Sequence, residues 1–101
     1  MKRIASQISN IKDSYDVVVI GSGYGGSIAA SRLSRAGQNV CLLERGEELL
    51  PGEYPDTLMK AKGEFQINTP KRHIGSETGL FDMHVYDDIQ ILVGCGLGGT
   101  S

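Results

Sequence analysis

Tyr15-Asp16-Val17-Val18-Val19-Ile20 runs without a break into Gly21-Ser22-Gly23-Tyr24-Gly25-Gly26, and this junction limits the fold more than any other part of the chain. A continuous β-branched run suits a parallel strand covered on both faces. Gly21 permits a tight turn at the strand's end. Gly23 has no Cβ to hold a phosphate away from the backbone, and Gly26 lets the next helix pack closely on the strand. The spacing predicts a helix over residues 24–36, with Gly26, Ala29, Ala30 and Leu33 toward the sheet and Arg32 and Arg35 toward water. Its unpaired amides and positive dipole end suit the pyrophosphate of a dinucleotide. Gly37 closes the helix, and a second strand is expected over residues 39–43.

That second strand ends on Glu44, about 20 residues past the glycine turn, where an acidic side chain accepts hydrogen bonds from the adenosine ribose. The same carboxylate would repel the 2′-phosphate of NADP. A glycine turn alone is a weak signal, equally consistent with a structural βαβ unit. Here strand, turn, small-residue helix, second strand and carboxylate coincide.

Composition bounds the alternatives. At 101 residues, with 40% hydrophobic and 22% charged side chains, the chain has the make-up of an ordinary soluble domain. A net charge of -2 provides no basic patch for nucleic acid. No apolar run approaches the ~18 residues that a membrane helix needs. Residues 1–14 mix Lys2, Arg3, Lys12 and Asp13 with isolated isoleucines and have no apolar signal-peptide core, so they are expected to form an arm on the fold's surface. Cys41 and Cys95 are far apart and are read as reduced structural thiols, which suits a cytoplasmic protein.

The middle of the chain carries less chemistry. Asp56 is expected to cap a short helix reaching about Phe65, with Leu58, Ala61 and Phe65 on one face. Residues 68–78 read as a polar loop whose Lys71-Arg72-His73 cluster is solvated surface. Two β segments, residues 80–86 and 89–93, suggest an antiparallel hairpin with Asp87 and Asp88 at its bend. Ile89, Ile91 and Val93 give the second segment an apolar face. The two aspartates read as turn-capping groups rather than an acid/base pair. His73 and His84 have no partners at metal-ligand spacing, so no metal site is expected.

Gly94-Cys95-Gly96-Leu97-Gly98-Gly99-Thr100-Ser101 then places four glycines in six positions directly after a β segment. Ordering so many glycines costs conformational entropy, and close backbone approach to a ligand is the natural reason for them. Thr100 and Ser101 add hydroxyls at the expected start of a helix. A second phosphate-approach loop behind a first nucleotide unit points to FAD.

Taken with Leu43-Glu44-Arg45-Gly46 and Pro51-Gly52-Glu53-Tyr54-Pro55, these two glycine blocks resemble the N-terminal end of the FAD-dependent glucose–methanol–choline (GMC) oxidoreductases, and within them the bacterial cholesterol oxidase-like branch. The resemblance implies an α/β fold, a partial Rossmann-like FAD-binding domain over residues 15–101 that is truncated and lacks the substrate domain. It implies a cofactor site made of Gly21, Ser22, Gly23, Tyr24, Gly25, Gly26, Glu44, Arg45, Gly94, Gly98, Gly99, Thr100 and Ser101. Cys95 departs from the family pattern, which often has a basic residue there. The family oxidises alcohols: a base takes the hydroxyl proton while a hydride passes to the flavin. Its catalytic histidine belongs to a C-terminal region that has no counterpart here, so no catalytic residue is expected in this chain and the fragment itself is expected to be inactive. The substrate would be a small-molecule alcohol, a sterol among the candidates, bound through the missing domain. Two alternatives stay open from the residues: the nucleotide-binding unit of an NAD-dependent dehydrogenase, and a non-catalytic binding protein with a dinucleotide fold.

Overall fold

The structure, a computed structural model, describes residues 2–99. Strand β1 (Val17–Ile20) feeds helix α1 (Tyr24–Arg35), which returns to strand β2 (Val40–Leu43). The two strands pair in parallel, with Val17 opposite Val40 and Ile20 opposite Leu43. This is the expected βαβ unit. The four half-buried residues of α1 are Gly26, Ala29, Ala30 and Leu33. Gly37 takes a φ of 89°, and bonds from Gly37 N to Ser34 O and Gln38 N to Leu33 O satisfy the helix's last carbonyls.

One expectation about this unit fails. Only the α1 side of the sheet is covered among the described residues. Val17 and Val19 are half-buried, whereas Val18 and Ile20 alternate to the other face and are 53% and 85% exposed. Continuous apolar sequence marks a strand that is fit for burial on both sides, but α1 reaches only one of them.

The remaining chain builds a separate four-stranded sheet. Helix α2 (Leu58–Lys62) leads into β3 (Phe65–Asn68), β4 (His73–Gly75), β5 (Phe81–Val85) and β6 (Gln90–Gly94), arranged in the order β4-β3-β5-β6. The expected β5–β6 hairpin forms, antiparallel, and Tyr86 N–H donates to Ile89 O across the bend that holds Asp87 and Asp88. Strands β3 and β5 pair in parallel, with Phe65 opposite Phe81 and Asn68 opposite His84.

Three sequence expectations need correction here. Helix α2 is capped by Thr57, whose hydroxyl accepts from Lys60 N at 3.2 Å, while Asp56 pairs with Lys60 Nζ at 2.9 Å. The helix stops at Gly63, so Phe65 belongs to a strand. Residues 73–75, expected in a loop, pair with β3. Strand β6 is an edge strand exposed along its whole length, Ile91 and Val93 included.

The second sheet turns its polar side inward. Gln66 and Asp82 are 0% and 3% exposed, whereas Phe65 and Leu92 on the opposite side are 38% and 59% exposed. The Phe65 and Phe81 rings lie 5.0 Å apart on that outer side. The N-terminal arm lies against the loop after β2: the Ile4 and Ala5 amides donate to the Glu48 carboxylate, and Arg3 pairs with Glu53.

Candidate functional site

Three backbone segments meet beyond the C-terminal end of β1: residues 21–26, residues 44–47 and residues 94–99. Gly21 N–H donates to Leu43 O at 2.8 Å, which extends the strand pairing one step into the turn. At Gly26 a Cβ would overlap the Gly21 carbonyl oxygen, so the turn and the helix can meet this closely only with glycine there. Gly21 has a φ of 95°. A Cβ on Gly21, Gly23 or Gly98 would point into open space, so these three backbones leave a cradle free for a ligand. Tyr24 and Gly25 form the first turn of α1, with Gly23 as its N-cap.

Ser22 joins the segments. It is 1% exposed. Its hydroxyl donates to Glu44 Oε2 at 2.5 Å and accepts from Gly98 N–H at 2.8 Å, and its own N–H donates to the same Glu44 oxygen at 3.0 Å. Gly46 N–H donates to Glu44 Oε1 at 2.8 Å. The second glycine loop is held further along as well: Leu97 N–H donates to Glu47 O at 3.0 Å and Cys95 N–H to Leu80 O at 2.8 Å. A Cβ on Gly46 would overlap Gly96 N, and one on Gly99 would lie 3.7 Å from Gly23 Cα. The two loops, about 75 residues apart in sequence by their bonded pair Ser22 and Gly98, therefore form one surface.

Partial burial pushes the Glu44 carboxyl up, but the Ser22 hydroxyl and the amides of Gly46, Ser22 and Arg45 outweigh it and hold it below the ordinary carboxylate value. An ionised carboxyl has about four acceptor positions. Ser22 and Gly46 fill three of them, and the Arg45 amide adds a further bond.

Arg45, expected among the cofactor-facing residues, turns its guanidinium away onto the second sheet. It bonds Asp82 Oδ2 at 2.6 Å, Glu77 O at 3.3 Å and Gln66 Oε1 at 3.4 Å. Asp82 also accepts from Asn68 Nδ2 at 2.6 Å and lies 3.2 Å from His84 Nε2. Burial pushes the Asp82 carboxyl up, and the bonds from Arg45 and His84 bring it below its usual value. Burial raises the Cys95 thiol. Gly94 and Gly99 line an open cleft of about 580 Å³ together with Tyr54, Leu80 and Leu92. Thr100 and Ser101 lie outside the described residues. Sequence reasoning missed Gln66, Asn68, Asp82 and the Glu47 carbonyl. Only the polar alternation Phe65-Gln66-Ile67-Asn68 hinted at a strand there, and nothing marked its polar side as the buried one.

The sequence model of the FAD binding domain family matches residues 16–74. The chain belongs to that family. Its cofactor is FAD, and the glycine cradle fits a dinucleotide, with open backbone at Gly21, Gly23 and Gly98. This FAD-binding domain is similar to the cholesterol oxidase of Mycobacterium tuberculosis, 36% identical over 91 residues, which is 90% of this chain and 15% of the relative. It is similar to the cholesterol oxidase of Acinetobacter baumannii, 31% identical over 88 residues, 86% of the chain and 15% of the relative. It is also similar to digeranylgeranylglycerophospholipid reductase 2 of Methanococcoides burtonii, 39% identical over 64 residues, 63% of the chain and 14% of the relative. The chain thus spans about 15% of the length of the cholesterol oxidases it matches. No solved structure matches it. The α/β character and the βαβ unit agree with a Rossmann-like FAD-binding domain. No helix among the described residues is long and apolar enough to cross a membrane.

Proposed function

We propose that this chain is the adenosine-side FAD cradle of a GMC-type oxidoreductase that oxidises an alcohol, with a sterol as the first substrate to test. The observation that carries the reading is the bond between the two glycine loops, Gly98 N–H to Ser22 Oγ at 2.8 Å. A nicotinamide site needs only the first loop, whereas a second one docked beside it suits the longer flavin cofactor. The similarity to two cholesterol oxidases over most of the chain supports the alcohol.

In this reading Gly21, Gly23 and Gly26 bring backbone amides and the N-terminus of α1 against the pyrophosphate. Glu44 is the acceptor for a ribose hydroxyl, its carboxylate held in place by the amides around it. Gly94, Gly98, Gly99, Thr100 and Ser101 approach from the flavin side. Arg45 contributes through its backbone, because its guanidinium is held by Asp82. When bound, FAD takes the hydride that leaves the alcohol carbon. The proton-accepting base and the substrate-binding surface lie outside residues 1–101, and the isolated segment turns over no alcohol. A cytoplasmic location belongs to the same reading.

The test is made on the intact protein. It should purify yellow, and anaerobic addition of a sterol alcohol should bleach the flavin absorbance. Bleaching by NADH and by no alcohol would replace this reading with a reductase, in keeping with the similarity to the archaeal reductase. Colourless protein that binds NADH would favour a nicotinamide dehydrogenase. Bound flavin that no reductant or alcohol can bleach would favour a non-catalytic binder.

A further inference from the structure

We propose that Ser22 is a positioning residue that docks the second glycine loop onto the first before any cofactor arrives, so that the cradle is assembled in advance. The cofactor half of this inference rests on the FAD reading above, and the docking half does not. A hydroxyl has one proton to donate and two lone pairs to accept with. The Ser22 proton goes to Glu44 Oε2 at 2.5 Å and one lone pair takes Gly98 N–H at 2.8 Å. At 1% exposure no ligand atom can reach the oxygen. The serine between the first two glycines thus acts through its neighbours and not by touching a phosphate.

The bond to Glu44 gives this arrangement its direction. An ionised acceptor makes the stronger hydrogen bond, so the carboxylate fixes the hydroxyl rotor and leaves its lone pairs turned toward the second loop. Gly98 has a φ of 84°, and its amide bond to Ser22 ties the loop to the first one, a residue beyond the bond from Leu97 N–H to Glu47 O. That bond fixes where the Gly98 backbone sits against the glycine turn. Assembly in advance matters because a loop that has to be ordered on binding subtracts its conformational entropy from the affinity. The chain Gly98–Ser22–Glu44 also links the ribose end of the site to the flavin-side loop.

The test is amide hydrogen exchange at Gly98 in the intact, cofactor-free protein. Ser22→Ala should speed exchange at Gly98 by about 3- to 10-fold, the equilibrium weight of one hydrogen bond, and weaken FAD binding by a similar factor. Ser31→Ala, on the exposed side of α1, should leave both unchanged, and Ser22→Thr, which keeps the hydroxyl, should keep Gly98 near the wild-type rate. Folded Ser22→Ala with unaltered Gly98 exchange would overturn the proposal, as would a threonine variant that folds and exchanges as fast as the alanine one. If Ser22→Ala does not fold, Glu44→Gln decides: faster Gly98 exchange supports the relay and an unchanged rate overturns it. Wild-type protein that takes up no FAD would defeat the proposed function, and the Gly98 rates would still judge the docking.

Discussion

The β1–β2 sheet and the four-stranded sheet hide opposite kinds of surface. In the first, half-buried Val17 and Val19 face the small residues of α1, and sequence pattern and packing agree on that side. In the second, the inward face carries Gln66, Asn68, Asp82 and His84, and the apolar face with Phe65 and Leu92 is turned outward. The difference follows from what each sheet packs against. A helix of glycine and alanine wants methyl groups, whereas the second sheet meets the guanidinium of Arg45, one residue beyond Glu44. A buried carboxylate is tolerated only when it is paired and hydrogen-bonded, and Asp82 has three such partners. The glycine loops sit where the two kinds of packing meet.

The sharpest way to break the comparison is at the first sheet. Gly26→Ala places a methyl onto the Gly21 carbonyl, and backbone cannot step aside as a side chain can. Overpacking of this kind costs about 1–3 kcal/mol of folding stability or more, and a turn displaced by that strain should bind FAD at least about 10-fold more weakly. Titration of the apo-protein with FAD measures it, and an affinity within about threefold of wild type would mean that turn and helix are not packed as described.

At the second sheet the expected ordering inverts ordinary hydrophobic intuition. Asp82→Ala should cost about 2–3 kcal/mol, since it strands Asn68 and Arg45, with the loss moderated because the Arg45 side chain is 53% exposed. Leu92→Ala, on the exposed apolar side, should cost less than about 1 kcal/mol. Denaturant midpoints of the two variants decide. A leucine change that costs more than the aspartate change would mean that the apolar side is covered in the intact protein.

How far the sequence disclosed this follows from the same contrast. Residues 17–44 were legible because a β-branched run, a glycine spacing and a terminal carboxylate each report one local requirement, and those requirements coincide. The docking of the two loops was legible only as a pair of glycine blocks. Their contact depends on Ser22, whose role comes from a partner 76 residues away. Strand β3 was obscured because it buries its polar side, against the pattern used to find strands, and β4 because it is three residues long and exposed throughout. The direction of the Arg45 side chain was not legible for a related reason: its partner Asp82 is distant in sequence.

Acid should separate the two regions less strongly. Glu44 and Asp82 both titrate below their ordinary values of 4.5 and 3.8 in the folded protein, because hydrogen bonds outweigh the opposing effect of burial. A lowered folded value means that the unfolded state binds more protons as pH falls. The stabilisation is therefore complete above about pH 5 and is lost as pH drops through the folded values. The melting temperature should hold steady from neutral pH down to that point and then decline. In Asp82→Asn the decline should be shallower, with the Glu44 part remaining. A wild-type melting curve that does not move down to about pH 3 would rule out both linkages.

The smallest effect expected is chemical. Cys95 is 5% exposed, Cys41 is half-buried in β2, and both are free thiols. Burial raises the Cys95 thiol, which keeps it protonated and slow toward an alkylating reagent. Its shield is the junction of the two regions: Gln66 hydrogen-bonds the thiol, and Gln66 is in turn held by Arg45 Nη1 and by the Gly79 carbonyl. Asp82→Ala releases the other end of that guanidinium. The Cys95 alkylation rate should then rise by about 2- to 5-fold, the weight of a partly exposed ion pair of up to about 1 kcal/mol, while Cys41, on the first sheet, keeps its wild-type rate. Mass spectrometry after timed labelling resolves the two cysteines. Equal acceleration at both would mean that the two sheets loosen together, and that the polar joint at Asp82 is not what separates them.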